Sequence, residues 1–194
     1  MGVGASVTHY FQEPYNPGFL EYPTLVGLHV VLGGVYLALA PFQFVGQIRS
    51  RHPGYHRRMG RVLVAIGLVV GATALFMGFV IPFSGWPERV VIGLFGCMFV
   101  VAIVKGFVHV RDGPVALHRE WMIRAFATGL SITTMRLTFV PALLVMDDPT
   151  NGQIAVLSNV SFAAAFAVHM LAAEAWIRLT HGSIAGIAGA VKGA

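Results

Sequence analysis

Charged side chains are scarce in this sequence: Asp, Glu, Lys and Arg make up 11% of its 194 residues. A soluble globular domain usually contains about 25% of these residues. Hydrophobic residues reach 56% and the mean hydropathy is +0.74, so a water-soluble fold is excluded. We therefore predict an integral membrane protein.

Cysteine is nearly absent as well, because Cys97 is the only one. An intrachain disulfide, a cysteine-based zinc site and covalent haem attachment are therefore excluded. Residues 1–21 also lack the basic segment and the apolar run of a cleavable signal peptide. We expect them to form an exposed arm outside the cytoplasm.

Five long segments are apolar enough to cross a bilayer, for which roughly 20 residues of helix suffice. They cover about residues 24–45, 61–81, 90–110, 118–145 and 154–179. We predict an all-α bundle of five transmembrane helices within residues 22–180, with Pro41 kinking the first helix near its end. Residues 181–194, which are rich in Gly and Ala, are predicted to form a flexible cytoplasmic tail.

The chain also contains a weak internal repeat. The first two spans are joined by a predicted loop at residues 47–58, which leads into His56-Arg57, and the next two by a basic loop that leads into His118-Arg119. Two parallel helical hairpins plus a fifth helix would produce this pattern. A chance origin is the alternative.

Basic residues are concentrated on one side of the predicted bundle. That side holds Arg49, Arg51, Arg57, Arg58, Arg61, Arg111, Arg119, Arg178 and Lys192. The opposite side holds Arg89 beside several carboxylates. Because positively charged loops stay in the cytoplasm, we predict that the basic side is cytoplasmic and the N-terminus outside. The net charge of +5 thus reflects membrane orientation and not nucleic-acid binding.

Both His-Arg pairs begin helix faces that we predict to point inward. At about 100° per residue, His118 shares its face with Arg136, and His56 shares its face with a series of glycines. These glycines are Gly60, Gly67, Gly71 and Gly78. Such a groove of small residues lets another membrane helix approach closely, so we expect this face to pack against a neighbour.

Three polar residues away from the basic loops form the first candidate site: His29, Tyr36 and Arg136. Placing an arginine at the centre of a span raises the free energy of membrane insertion by at least about 2.5 to 3.5 kcal/mol, so an arginine rarely occurs there without a function. A pocket of these side chains would suit an anionic or carbonyl-bearing ligand, such as a quinone or a haem propionate. The alternative is that Arg136 binds backbone carbonyls freed near Pro41 or Pro141.

The second candidate site lies on the basic side and contains His56, His118 and His109, with His169 as a deeper candidate ligand. Neutral imidazole binds haem iron, and His56 with His118 is the pair whose depth suits a b-type haem. Nearby arginines match carboxylates or phosphates: Arg57, Arg61, Arg119 and Arg124. Alternatively, these arginines bind anionic lipids of the cytoplasmic leaflet, and Arg124 pairs with Glu174 in a structural role.

Several of these elements occur together in a recognisable combination. They are Pro41 and Gln43, His56-Arg57 with Gly60-Arg61, and Ala116-Leu117-His118-Arg119 with Trp121-Met122 and Arg124. With them the sequence, over about residues 28–176, resembles a family of predicted bacterial membrane proteins called domain of unknown function 2306. The resemblance supports the membrane bundle and the positions of the two His-Arg pairs, and it implies no reaction. With the orientation given above, we expect a multi-pass protein of the bacterial cytoplasmic (inner) membrane.

Two functions are consistent with these features. The inward histidines and the buried arginine favour a protein that binds haem b or quinone and serves as an electron-transfer or accessory subunit of a larger membrane complex. The alternative is a non-catalytic scaffold that packs against partner helices and lipids. A transporter is less favoured, because the spans lack a pair of acidic residues to carry ions.

Overall fold

The computed structural model describes the backbone of residues 17–192 and the side chains of residues 18–180. All regular structure in this part of the chain is helical. The helices are α1 (Pro17–Glu21), α2 (Pro23–Leu39), α3 (Gly46–Arg51), α4 (Pro53–Val80), α5 (Trp86–Asp112), α6 (Val115–Leu144) and α7 (Asn151–Lys192). A 3-10 turn over Ala40–Phe44 follows α2.

Five stretches of helix are long and apolar enough to cross a membrane, which confirms the predicted five-span bundle. They are Pro23–Phe44, Pro53–Val80, Trp86–Asp112, Val115–Leu144 and Asn151–Thr180. The outer surface is apolar too, since Leu94, Leu137 and Leu171 are 63%, 69% and 71% exposed. A surface with so many exposed large apolar side chains suits lipid and not water.

Each spanning helix packs mainly on the next one: α2 on α4, α4 on α5, α5 on α6, and α6 on α7. Helix α2 also reaches α6. One buried cluster, which includes Tyr36, Phe99 and Ile103, fills the space between α2, α4, α5 and α6. A second, around Met135 and Ile154, joins α6 to α7. The packing contains the predicted pairs α2 with α4 and α5 with α6, while their origin by duplication stays a prediction.

The glycines of α4 allow α5 to approach closely. Gly67, Gly71 and Gly78 are all buried. A Cβ atom on Gly71 would lie 2.6 Å from Val100 Cγ2, and one on Gly78 would lie 2.5 Å from Ile92 Cγ2. These separations are shorter than any normal carbon–carbon contact, so only glycine fits. The predicted groove is confirmed at these three positions.

The basic end of the bundle differs from the prediction at the first connection. Residues 47–58 are not a loop: α3 occupies Gly46–Arg51, and α4 begins at Pro53. Proline is favoured at the first helical position, because its fixed φ suits the helix and its missing N–H would have no partner there. Only His52 separates the two helices. His56 therefore lies in the first turns of α4.

The backbone of the first span changes just before Pro41, close to the position of the predicted kink. The α-helix stops at Leu39 and tightens into the 3-10 turn, because proline restrains its predecessor and removes a backbone donor. Gln43 in this turn faces Gly60, where Oε1 would lie 3.7 Å from an added Cβ. At Gly60 the neighbour is this 3-10 turn and the contact is an ordinary one, so the close approach seen at the other three glycines does not extend to this position.

The two ends of the chain are described only in part. Most of the predicted arm, residues 1–21, lies outside the described residues, and its last five residues form α1. Helix α7 continues to Lys192, where the sequence predicts a flexible tail over residues 181–194. The mobility of that segment stays a prediction.

Candidate functional site

A cavity of about 1510 Å³ lies between α2, α4, α5, α6 and α7. His29, Tyr36 and Arg136 all line it, so the structure brings the three residues of the first candidate site together. We call it the Arg136 cavity. Most of its wall is apolar and includes Val70, Ile92, Phe95, Phe99, Ile132 and Phe166.

Arg136 has no partner among the described residues: it forms neither an ion pair nor a hydrogen bond there. Its side chain is exposed in the isolated chain although it lies within α6, which is long and apolar enough to span a membrane. The alternative of bonds to carbonyls near Pro41 or Pro141 is therefore not realised in this part of the chain. The guanidinium is free to bind an anion or a carbonyl oxygen.

The protonation of His29 follows from its neighbour Thr73. The Thr73 hydroxyl donates to the backbone carbonyl of Val69 at 2.8 Å, and its oxygen lies 2.9 Å from His29 Nδ1. A hydroxyl has one proton, so when it is donated to the Val69 carbonyl the second bond takes its proton from Nδ1 of His29. In the neutral ring, Nε2 is then left as an acceptor.

Tyr36 separates two cavities. Tyr36 is only 6% exposed, and its ring packs edge-on against the ring of Phe99, with the ring centroids 5.7 Å apart. Its hydroxyl has no hydrogen-bond partner among the described residues. The same side chain lines the Arg136 cavity on one side and a second cavity on the other.

This second cavity, of about 760 Å³, lies at the end of the bundle where the α2–α4 and α5–α6 connections meet. It is lined by Arg49, Arg57, Arg61, Arg111, Arg119, His56 and His118. No carboxylate side chain lines it within the described residues. We call it the basic cavity. It contains two of the three histidines of the second candidate site.

The two histidines of the basic cavity have different surroundings. His118 Nδ1 lies 2.7 Å from the carbonyl oxygen of Gly106. Because a carbonyl only accepts, Nδ1 carries the proton, and in the neutral ring Nε2 is then unprotonated, the arrangement that metal-binding histidines use. His56 Nδ1 is buried and has no hydrogen-bond partner in the part of the chain that the structure describes.

His109 and His169 do not line either cavity. Both ring nitrogens of His169 are held within the bundle, Nδ1 at 2.9 Å from the Ala165 carbonyl and Nε2 at 3.3 Å from Thr134 Oγ1. Over the described residues, no three His, Cys, Asp or Glu side chains are grouped so that they could hold a metal ion. Of the histidines predicted to bind a cofactor, the two cavities therefore contain His29, His56 and His118 and lack His109 and His169.

Arg124 belongs to the packing of the bundle. Its Nε and Nη2 donate to the two carboxylate oxygens of Glu174 at 2.5 and 3.0 Å. Its Nη1 lies 3.6 Å from Glu120, and its guanidinium lies over the Trp121 ring. The predicted pair with Glu174 is confirmed. Arg119 lines the basic cavity while it donates to Thr180 Oγ1 at 3.2 Å.

Several residues at these sites, among them Thr73, Arg111, Arg49 and Gln43, are not predicted as site residues from the sequence. A threonine hydroxyl within an apolar span is the only signal for Thr73, and it is ambiguous because such hydroxyls usually bond to their own helix. Arg111 lies just before Gly113-Pro114, and no local pattern indicates the direction of its side chain.

A family model described as predicted membrane protein, DUF2306, matches residues 26–177. The chain belongs to this family. The matched part of this DUF2306 protein contains all seven histidine, tyrosine and arginine positions predicted to hold a cofactor, from His29 to His169. No curated protein and no solved structure matches the chain.

Proposed function

We propose that this DUF2306 protein binds a quinone in the Arg136 cavity and serves as an electron-transfer or accessory subunit of a larger membrane complex. One observation carries the proposal. Arg136, an arginine within an apolar span, has no partner among the described residues and lines the same cavity as His29 and the unpartnered hydroxyl of Tyr36. An unpaired arginine at that depth is costly, so a ligand that supplies an acceptor would stabilise it.

The groups of this cavity complement a quinone head group. The carbonyl oxygens of a quinone accept hydrogen bonds, which Arg136 and the Tyr36 hydroxyl can donate. His29 Nε2 can accept from the hydroxyl of the reduced form. Most small-ligand pockets measure about 300–1,000 Å³, and this cavity is larger at about 1510 Å³. The surplus apolar volume suits a long hydrocarbon tail.

Haem b, the other redox ligand predicted from the sequence, would occupy the basic cavity. It is supported by the unprotonated Nε2 of His118 and by the presence of His56 on the same cavity. The arginines there match propionate groups. This assignment stays a prediction, and an absorption spectrum tests it: a Soret band that disappears in His118→Ala would place haem at this site.

Extraction of the purified protein tests the quinone proposal. We expect wild-type protein in mild detergent to yield quinone when it is extracted with organic solvent and chromatographed. Arg136→Leu should lower the quinone content at least about tenfold, since a hydrogen bond from a charged donor contributes about 1.5–3 kcal/mol. The control is Leu137→Ala, one residue further along α6 on the lipid-facing surface, which should retain the quinone.

The result that overturns the proposal is also clear. If wild-type protein contains no quinone and binds none when it is reconstituted into quinone-supplemented nanodiscs, the proposal is wrong. A colourless protein without quinone would leave the scaffold function, in which the apolar surface packs against partner subunits and lipids.

The proposal includes an orientation with the basic end in the cytoplasm of a bacterial cell and the N-terminus outside. It rests on the arginines around the α2–α4 and α5–α6 connections. In a Cys97→Ser background, an impermeant maleimide added to intact spheroplasts should label Asp148→Cys and not Ser50→Cys. The reverse pattern would contradict the orientation.

A further inference from the structure

We infer that the basic cavity is a binding site for a phosphate ester whose alcohol portion carries a free hydroxyl group. Glycerol phosphate is the simplest example, either as a phospholipid head group or as a soluble ester. The inference is independent of the quinone proposal, because the two cavities share only Tyr36.

The charge of the cavity requires an anion. Five arginines line it, Arg49, Arg57, Arg61, Arg111 and Arg119, without any carboxylate. None of the five forms an ion pair within the described residues. The chain does pair arginine elsewhere, since Arg124 is bound by Glu174. None of the five guanidinium groups is therefore neutralised by a carboxylate of the described residues, although Arg119 also donates to Thr180 Oγ1. Their forked donors match the oxygens of a phosphate.

Two buried polar atoms indicate that the ligand is more than an anion. Gln43 Oε1 and His56 Nδ1 are both buried without a hydrogen-bond partner among the described residues, and both residues line the cavity. A carbonyl oxygen only accepts, and Gln43 Oε1 has no donor among the described residues, so a donor on the ligand would satisfy it. A hydroxyl group beside the phosphate supplies that donor. A haem, with carboxylates and no donor of its own, would leave Gln43 Oε1 unpaired.

The wall of the cavity favours a lipid as the source of the phosphate. Leu63, Ile103 and Phe126 line its apolar part, and the arginines lie around the two connections at the end of the spans. This is the level at which phospholipid phosphates lie, and anionic lipids attract basic residues near the surface. A soluble ester would share the phosphate and hydroxyl contacts but not the apolar ones.

Native mass spectrometry of the full chain in detergent tests the inference with four probes. Phosphatidylglycerol has the phosphate and the hydroxyl groups, phosphatidylmethanol has the same charge without hydroxyl groups, and phosphatidylcholine has no net charge. Glycerol 3-phosphate provides the soluble form. We expect phosphatidylglycerol to bind at least about fivefold more tightly than phosphatidylmethanol and phosphatidylcholine. Binding of glycerol 3-phosphate at similar strength would instead identify a soluble ester as the ligand, with the same chemistry.

Two adjacent arginines provide a matched pair of variants. Both side chains are exposed, but Arg57 lines the cavity and Arg58 does not. Arg57→Gln should weaken phosphatidylglycerol binding about fivefold, and Arg58→Gln should change it less than about twofold. Gln43→Met should abolish the preference for phosphatidylglycerol over phosphatidylmethanol while phosphatidylmethanol binding is unchanged.

Three results would overturn the inference. Equal losses in Arg57→Gln and Arg58→Gln would show attraction to the general positive surface and not to a site. Equal binding of phosphatidylglycerol and phosphatidylmethanol by wild-type protein would remove the role of Gln43. A Soret band that depends on His118 would assign the cavity to haem. Arg136→Leu should not affect any of these measurements, so failure here is distinct from failure of the quinone proposal.

Discussion

Arg124 on α6 and Glu174 on α7 form a two-point ion pair, with nitrogen–oxygen distances of 2.5 and 3.0 Å. The pair joins the last two spanning helices near the basic end. The Arg124 side chain is 17% exposed and the Glu174 side chain 36%. Arg124 has a second, longer contact with Glu120 at 3.6 Å, so the two short bonds to Glu174 are its main interaction.

Loss of this pair should destabilise the bundle. We expect Glu174→Gln to lower the stability by about 1 to 3 kcal/mol, because it leaves the Arg124 guanidinium without its carboxylate. Thermal unfolding in detergent measures the change. The control is Asp112→Asn, which removes an exposed carboxylate that has no hydrogen bond or ion pair among the described residues. Equal effects of both variants would contradict a structural role for the pair.

The α4–α5 contact should tolerate no side chain at Gly71. An added Cβ would lie 2.6 Å from Val100 Cγ2, and overpacking of this kind costs roughly 1 to 3 kcal/mol. We expect Gly71→Ala to lower the melting temperature, and we expect Gly71→Leu to prevent the helices from packing into the bundle. Gly34→Ala on α2, where no atom lies within 4 Å of the added Cβ, is the control. A wild-type melting temperature for Gly71→Ala would mean that α4 and α5 are further apart than the structure shows.

Tyr36→Phe should separate ligand binding from stability. The substitution removes only the hydroxyl group, which has no partner among the described residues, so stability should change by less than about 0.5 kcal/mol. Quinone content should fall, because one donor to the quinone is lost. Tyr36→Ala, in contrast, leaves a cavity beside Phe99 and should destabilise the bundle by about 3 to 5 kcal/mol. An unchanged quinone content in Tyr36→Phe would remove the hydroxyl from the site.

The tautomers of two histidines can be measured without changing the fold. The bond of His118 to the Gly106 carbonyl requires the proton on Nδ1 in the neutral ring, and the donation from Thr73 to the Val69 carbonyl favours the same tautomer of His29. Nitrogen-15 spectra of protein labelled at histidine should therefore show both residues with a protonated Nδ1 and an unprotonated Nε2. His118→Ala and His29→Ala assign the signals. A protonated Nε2 on neutral His118 would contradict the carbonyl bond and the basis for haem ligation.

Part of the candidate sites could be predicted because helix faces follow from spacing. The turn of about 100° per residue correctly placed Gly67, Gly71 and Gly78 on one face. The pairing of Arg124 with Glu174 followed from the cost of leaving either charge alone in a membrane. Spacing did not show that His109 lies outside the basic cavity, because the rotation of α5 depends on how Ile103 and its neighbours pack.

The sequence by itself determined that the chain forms five membrane-spanning helices, because length and hydropathy are local properties of each segment. Only the tertiary structure decided which polar groups meet. Contacts between distant helices set the rotation and depth of each one, so they placed Arg136 beside His29 and left Gln43 facing the basic cavity without a partner. No local pattern contains that information, because these pairings depend on side-chain packing between residues far apart in the chain.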